Sequence, residues 1–179
     1  MFIHNEYDCY ISLYVDDIAI YLADTPHLTA LIQELKTAFE ISDLGEASFL
    51  LGLHITYTPE GIALTQKLYI ATILSQFGME NSNTVSTPLP KGIILTKGTT
   101  EQPKDQVTTY QSMIGSLIYL VTGTRPDLAY TISFLAQFSS CPTEEHTKAA
   151  KHVFRYVNGT RILGLFLPVH HNKCYRCLR

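Results

Sequence analysis

Residues 11–23, ISLYVDDIAIYLA, set two aspartates side by side, Asp16 and Asp17, inside an otherwise apolar run. Tyr, Ile, Val and Leu dominate both flanks, over 7–15 (YDCYISLYV) and 18–23 (IAIYLA), which suits two strands. The break falls at Val15-Asp16-Asp17, so the stretch predicts a tight β-hairpin with its carboxylates at the turn. Two carboxylates held about 4 Å apart repel by roughly 4 kcal/mol at an effective dielectric near 20, and something must offset that. A bare Asp-Asp is a common polar turn. It is also a pair of hard oxygen donors suited to magnesium (or manganese), and a pair of such ions clamps the attacking and leaving oxygens of an in-line phosphoryl displacement.

Outward from the hairpin, Asp24 and Thr25 cap a helix with Pro26 at its start, and Leu28, Leu31, Ile32, Leu35 and Phe39 share the face that covers the sheet. SFLLGLHITYT (48–58) reads as a strand, turning at Pro59-Glu60-Gly61 into a short return strand IALT, a second hairpin. A helix over 67–77 turns Ile70, Ile73, Leu74 and Phe77 inward and ends at Gly78. Polar residues and Pro88, Pro90 and Pro103 then mark a linker. Three more helices follow: 110–121 with Ile114, Leu117, Ile118 and Val121 inward, 126–138 with Leu128, Ile132, Leu135 and Ala136, and 144–157 with Ala150, Val153, Phe154 and Val157. Their short connections favour a helical bundle. The expected class is α+β: two β-hairpins with a covering helix over 1–79, a linker over 80–109, a helical region over 110–166 and a tail over 167–179.

A chain of 179 residues, 46% hydrophobic and 16% charged, is long enough for one sizeable core or two small ones. The net charge of −3 is unevenly laid out. Up to residue 60 the only Lys or Arg is Lys36, among many acids; after Glu145 the charges are Lys148, Lys151, Arg155, Arg161, Lys173, Arg176 and Arg179, with no acid. Such asymmetry fits a cation-holding half and a polyanion-facing half, or two ordinary solvated surfaces. The scattered cysteines at 9, 141, 174 and 177 and the lack of a signal-like opening lead us to expect a reduced intracellular setting. The longest apolar window, 114–121, falls short of the ~20 residues of a membrane span, so no membrane partner is expected.

Tyr14-Val15-Asp16-Asp17 between apolar strands resembles the catalytic hairpin of reverse transcriptases. Further likenesses follow in order: Asp43-Leu44-Gly45-Glu46 with Phe49-Leu50-Leu51-Gly52-Leu53, then Leu64-Thr65-Gln66 with Tyr69-Ile70, then Val85-Ser86-Thr87-Pro88-Leu89. After them come Tyr110 with Gly115-Ser116-Leu117 and Tyr119-Leu120, Thr124-Arg125-Pro126-Asp127-Leu128, and Arg155-Tyr156-Val157-Asn158-Gly159-Thr160. Together they resemble copia-type LTR retrotransposon polymerases over roughly residues 7 to 166. The resemblance implies the C-terminal part of a polymerase palm followed by a helical thumb-like bundle. It implies magnesium-dependent addition of a dNTP to a primer on an RNA or DNA template, in a cytoplasmic particle or the nucleus.

By the same resemblance Asp16 would ligate the catalytic metal and Asp17 would assist it or order the hairpin. Tyr14 and Val15 would pack under the primer terminus and incoming nucleotide, and Leu51 and Gly52 would shape the primer grip. Gly52 also reads as a strand bulge. Lys148, Lys151 and Arg155 fall on one narrow helix face that could track phosphates or could be a solvated face. Arg125 and Asp127 flank Pro126 at a helix start, where Asp127 is expected to steady the helix.

The sequence also departs from the family. The family's third metal-binding aspartate and its fingers region precede the hairpin, and Asp8 does not stand in for that carboxylate. We therefore expect a fragment, inactive by itself and completed only by the missing N-terminal polymerase region. A residual nucleic-acid-binding module or a structural remnant remain the alternatives. Ser42 stands where family members often carry a lysine before Asp43, leaving Lys36 as the nearby base. At the other end, His170, His171, Cys174 and Cys177 have a spacing that could ligate zinc, or that belongs to a divergent tail without meaning.

Overall fold

Three antiparallel strands come first, β1 (Phe2–His4), β2 (Cys9–Tyr14) and β3 (Asp17–Leu22). β2 and β3 pair from Tyr10↔Tyr21 to Tyr14↔Asp17, so Val15 and Asp16 form a two-residue loop. Alternation along the strands puts Cys9, Ile11, Ile18 and Ile20 on one face. The helix α1 (Thr25–Ala38) covers that face, packing Leu28 and Ile32 against Cys9 and Ile20, with Leu31, Leu35 and Ile41 around them. Phe39 was expected on the same face but is 61% exposed, because the helix ends at Ala38 and the chain turns before Phe39 can follow the stripe.

The computed structural model describes residues 2–4, 9–22, 25–99, 102–168 and 174–178. It divides into two compact units, Met1–Ala63 with Phe166–Arg179, and Leu64–Leu165. The class is mixed α and β, with five α-helices and two small sheets among the described residues.

In the first unit, β4 (Asp43–Glu46) does not pair with β3. A strand from the C-terminal tail, β9 (Cys174–Leu178), runs antiparallel between them, opposite Ile18–Leu22 on one side and Asp43 and Glu46 on the other. The resulting order is β1-β2-β3-β9-β4. The second sheet, in order, is β5 (Phe49–Leu50), β6 (Leu53–Thr58), β7 (Gly61–Thr65) and β8 (Leu165–Pro168). The run SFLLGLHITYT is thus not one strand: it folds back at Leu51-Gly52, and Leu50 pairs with Leu53.

The second unit is built on α2 (Lys67–Gln76), α3 (Lys104–Gly123), α4 (Ala129–Ala136) and α5 (Glu144–Gly159). Gly78 at φ +64° closes α2 in a Schellman motif, its N–H donating to Ser75 O while Met79 N–H donates to Leu74 O. α3 begins six residues before the expected Tyr110, because Pro103 starts it and its polar first turn carries no apolar period. Its buried face is Tyr110, Met113, Ile114, Leu117 and Leu120, whereas Ile118 is 43% exposed, one position off the stripe. The helix expected from Pro126 opens as a 3-10 turn (Pro126–Leu128) and becomes α-helical at Ala129. Ile70, Ile73, Leu74, Ile132, Leu135, Val153, Phe154 and Val157 complete one apolar core, as their spacing predicted. The irregular stretch from Met79 to Thr99 docks Leu89, Ile93 and Leu95 against that core.

Candidate catalytic hairpin and its surroundings

The hairpin loop carries backbone strain at one residue. Val15 sits at φ +53° and Asp16 is not in the positive region, the pattern of a type II′ turn, which ordinarily prefers glycine first. A β-branched residue there is an outlier. Val15 is also 79% exposed, and Tyr14 62% and Leu13 58%, so the tip presents apolar side chains to solvent beside its carboxylates. Asp16 is exposed in the loop. Asp17, half-buried, pairs with Tyr14 and by alternation lies with Ser12, Ala19 and Tyr21 on the face away from α1. The two carboxylates therefore leave the turn in different directions.

Leu51 and Gly52 form the two-residue loop between β5 and β6, at φ +51° and +79°, the type I′ pattern. This second strained tip is in the same unit as the first but in a different sheet. Behind β4, Lys36 Nζ of α1 lies 3.6 Å from Asp43 Oδ2, so this base reaches the strand whose preceding residue is Ser42. Asp43 Oδ1 also accepts from Gly45 N–H at 2.9 Å, which shapes the DLGE strand.

The donor set at the hairpin is two adjacent carboxylates. Magnesium held at a phosphoryl-transfer site commonly takes one or two protein carboxylates and completes its shell with waters and substrate phosphates, so Asp16 and Asp17 fit part of that demand. Among the described residues, no three His, Cys, Asp or Glu side chains converge on a common point. Asp8, His170 and His171 lie outside the described residues, as do the side chains of Cys174 and Cys177, whose backbone forms part of β9.

The three cations expected to track phosphates are all on α5. Lys148 Nζ is 2.8 Å from Glu144 Oε1, an exposed pair in which the carboxylate raises the ammonium's affinity for its proton. Lys151 is exposed, and Arg155 is half-buried with its Nε lacking a partner.

The remaining sequence signatures turn out to hold the second unit together. Gln66 is buried, and its Oε1 accepts from Thr124 Oγ1 at 2.9 Å; it lies so close to Gly123 that a Cβ there would collide with it. Arg125, entirely buried, makes a two-pronged contact with Asp127 (Nε to Oδ1 2.9 Å, Nη2 to Oδ2 2.8 Å) and donates to the carbonyl and hydroxyl oxygens of Thr160. Tyr156 donates to Asp127 Oδ2 at 3.1 Å, and its ring lies 5.5 Å from the guanidinium. Asp127 thus clamps Arg125 rather than serving only as the acid of a helix start. Burial alone would raise its pKa, but the hydrogen bonds and charge of Arg125, with the Tyr156 hydroxyl, hold it below the usual range. Asn158 Nδ2 donates to the Ser82 carbonyl at 3.0 Å, and Tyr69 Oη to the Ser116 carbonyl at 3.2 Å.

His146 escaped the sequence reading altogether. It is buried at the third position of α5, where its Nδ1 accepts from Thr143 N–H at 2.8 Å in a capping box and its ring stacks on Phe138 at 4.1 Å. The only available signal was its place three residues after a capping threonine, where glutamate or glutamine is the usual partner.

Residues 1–91, more than half of the chain, match the family described as "Reverse transcriptase (RNA-dependent DNA polymerase)". The chain is 36% identical over 158 residues to the "Retrovirus-related Pol polyprotein from transposon RE1" of Arabidopsis thaliana, which covers 88% of this chain and 11% of that protein. It is 37% identical over 155 residues to the "Retrovirus-related Pol polyprotein from transposon TNT 1-94" of Nicotiana tabacum, covering 83% and 12%. The "Uncharacterized mitochondrial protein AtMg00810" of Arabidopsis thaliana is 36% identical over 158 residues, covering 88% of this chain and 65% of its own length. The chain therefore spans only about a tenth of the Pol polyproteins it matches. No solved structure matches it. The chain belongs to the reverse transcriptase (RNA-dependent DNA polymerase) family and corresponds to a segment of the Pol polyprotein of copia-type retrotransposons.

Proposed function

We propose that the chain is the C-terminal palm and the thumb-like region of a retrotransposon polymerase, and that Asp16 and Asp17 supply two of the carboxylates that hold its catalytic magnesium (or manganese). The observation that carries this is the strained Val15-Asp16 loop, which leaves Asp16 exposed at the tip and sets Asp17 on the face of the sheet away from α1. When bound, the metal neutralises charge on the transferring phosphoryl group and activates the primer hydroxyl. The chain's own part is to orient. Tyr14 and Val15 offer exposed apolar surface under the primer terminus and nucleotide, and Leu51-Gly52 guides the primer strand.

The partners of the intact enzyme on this reading are an RNA or DNA template with primer, a dNTP and the N-terminal polymerase region, inside the cell in a cytoplasmic particle or the nucleus. On this reading Asp16 and Asp17 act with a third carboxylate and a nucleotide-holding region of the N-terminal polymerase region, and without these most of the electrostatic stabilisation of the transition state is lost. Manganese titrated into isotopically labelled chain tests the site: it should broaden the Val15, Asp16 and Asp17 amides, and Asp16→Asn should abolish the effect. Broadening that survives Asp16→Asn and Asp17→Asn would remove the metal role. Primer extension by this chain, lost in Asp16→Asn, would overturn the expected inactivity.

A second reading, a nucleic-acid-binding module, is favoured by one observation: Lys151 and Arg155 make no ion pair among the described residues, because the acids of α5, Glu144 and Glu145, stand nearly two turns or more away in its first turn.

A further inference from the structure

Between residues 90–95 and α5 lies an open groove of about 320 Å³. One wall is apolar, Ile93 and Leu95 packed on the core and Ile94 projecting at 83% exposure. The other wall is the α5 face bearing Lys148, His152 and Arg155. An exposed isoleucine opposite a half-buried guanidinium whose Nε has no acceptor leaves both walls unsatisfied, one in area and one in hydrogen bonding.

His152 is held in place. Its Nε2 lies 3.0 Å from the Thr87 carbonyl oxygen, and since a carbonyl only accepts, Nε2 carries the proton. The ring is thereby fixed by the backbone of the irregular stretch. Lys151 falls on the same helix face as Lys148 and Arg155, at three- and four-residue steps.

We propose that this groove binds one unpaired nucleotide of a single nucleic-acid strand. The base lies between Ile93–Ile94 and the planes of His152 and Arg155, and Lys148 and Lys151 meet the flanking phosphates. Flat π-faces and guanidinium planes receive unstacked bases, whereas a duplex keeps its bases stacked inside and cannot insert one. Cations at the mouth select a polyanion over an apolar ligand. Glu145, which also lines the groove, and Glu144, paired with Lys148, bias the phosphates toward the Lys151 end. The proposal rests on the second reading above and narrows it from generic phosphate tracking to single-strand capture.

Fluorescence anisotropy of the full chain tests it, with a labelled 12-nucleotide single strand and the matching blunt duplex, in EDTA and across a salt series. The single strand should bind more tightly than the duplex. Ile94→Ser, at an exposed position that leaves the melting temperature unchanged, should weaken single-strand binding roughly tenfold. Lys151→Gln should lower the salt slope by about 0.7. Equal affinity for duplex and single strand, with Ile94→Ser without effect, would overturn the groove while leaving a basic nucleic-acid-binding face. No binding at all would overturn both, yet EDTA keeps the outcome independent of the metal site at Asp16 and Asp17.

Discussion

Asp127→Ala puts the Arg125 clamp to the test. Arg125 is wholly buried, and the substitution strips both carboxylate contacts from its guanidinium together with the acceptor for the Tyr156 hydroxyl. Removing one partner of a buried ion pair costs roughly 3–5 kcal/mol. Two facts reduce that here: the Asp127 side chain is 37% exposed, so water can partly replace it, and Thr160 keeps its two contacts with Arg125. A loss of about 2–3 kcal/mol results, and with an unfolding entropy of ~2.1 cal/mol/K per residue over a unit of about a hundred residues it lowers the melting temperature by roughly 10–15 °C. The pH dependence has a definite sign. A carboxylate held below its unfolded value adds stability above about pH 4, lost as pH falls through the folded value, so the variant's acid sensitivity should be the shallower. Arg125→Met combined with Asp127→Ala should recover part of the loss, because an apolar side chain leaves no buried charge uncompensated. Thermal melts followed by far-ultraviolet circular dichroism decide it. A cost below about 0.5 kcal/mol for Asp127→Ala, at the level of an ordinary surface substitution, would refute the clamp.

Three other perturbations have definite outcomes. Burial lowers the His146 pKa, with Glu145 opposing, so the neutral ring is the folded form; stability should be full above about pH 6.5 and fall as acidification carries the ring through its folded value, and His146→Gln, which can still complete the capping box, should flatten that slope in melts between pH 5 and 8. Val15→Gly removes a left-handed valine that makes little packing contact, so relief of about 1–2 kcal/mol against a glycine entropy cost of about 0.5–1 should leave the hairpin slightly more stable by urea denaturation; a loss would show that Val15 is not strained. Deleting residues 169–179 removes the strand between β3 and β4, and hydrogen exchange at Ile18–Leu22 should accelerate by about tenfold or more while that of α5 stays unchanged.

Local signals were legible in the sequence wherever they were self-contained. The hairpin at Asp16-Asp17, the apolar stripe of α1 at Leu28 and Ile32, the glycine stop after α2 and the Val153, Phe154 and Val157 face of α5 each follow from spacing alone. What was missed depended on distant partners or on residues in unusual conformations. Leu51 at φ +51° breaks a run that reads as one strand, since only Gly52 marks a turn by type. β9 is invisible because its pairing with β3 spans most of the chain. Arg125 looked like a flank of Pro126, and nothing local announces that Thr160 and Tyr156 return to enclose it.

The motifs this chain shares with the family thus divide into two physical kinds. Gln66 with Thr124, Arg125 with Asp127 and Thr160, Tyr69 with Ser116 and Asn158 with Ser82 are contacts in which a side chain meets a polar partner inside the helical unit, most of them far along the sequence. Each explains its residue types by packing and hydrogen bonding. The hairpin tip is the opposite case: it spends strain at Val15, leaves Leu13 and Tyr14 exposed and sets like charges side by side, all of which local stability disfavours. Matches along the helical unit therefore testify to a shared fold, and the chemistry rests on a few residues around Asp16. A chain retaining the clamps after losing the carboxylates would still fold as this family folds, so manganese broadening at the hairpin, rather than overall identity, is what separates a metal-binding polymerase segment from its scaffold.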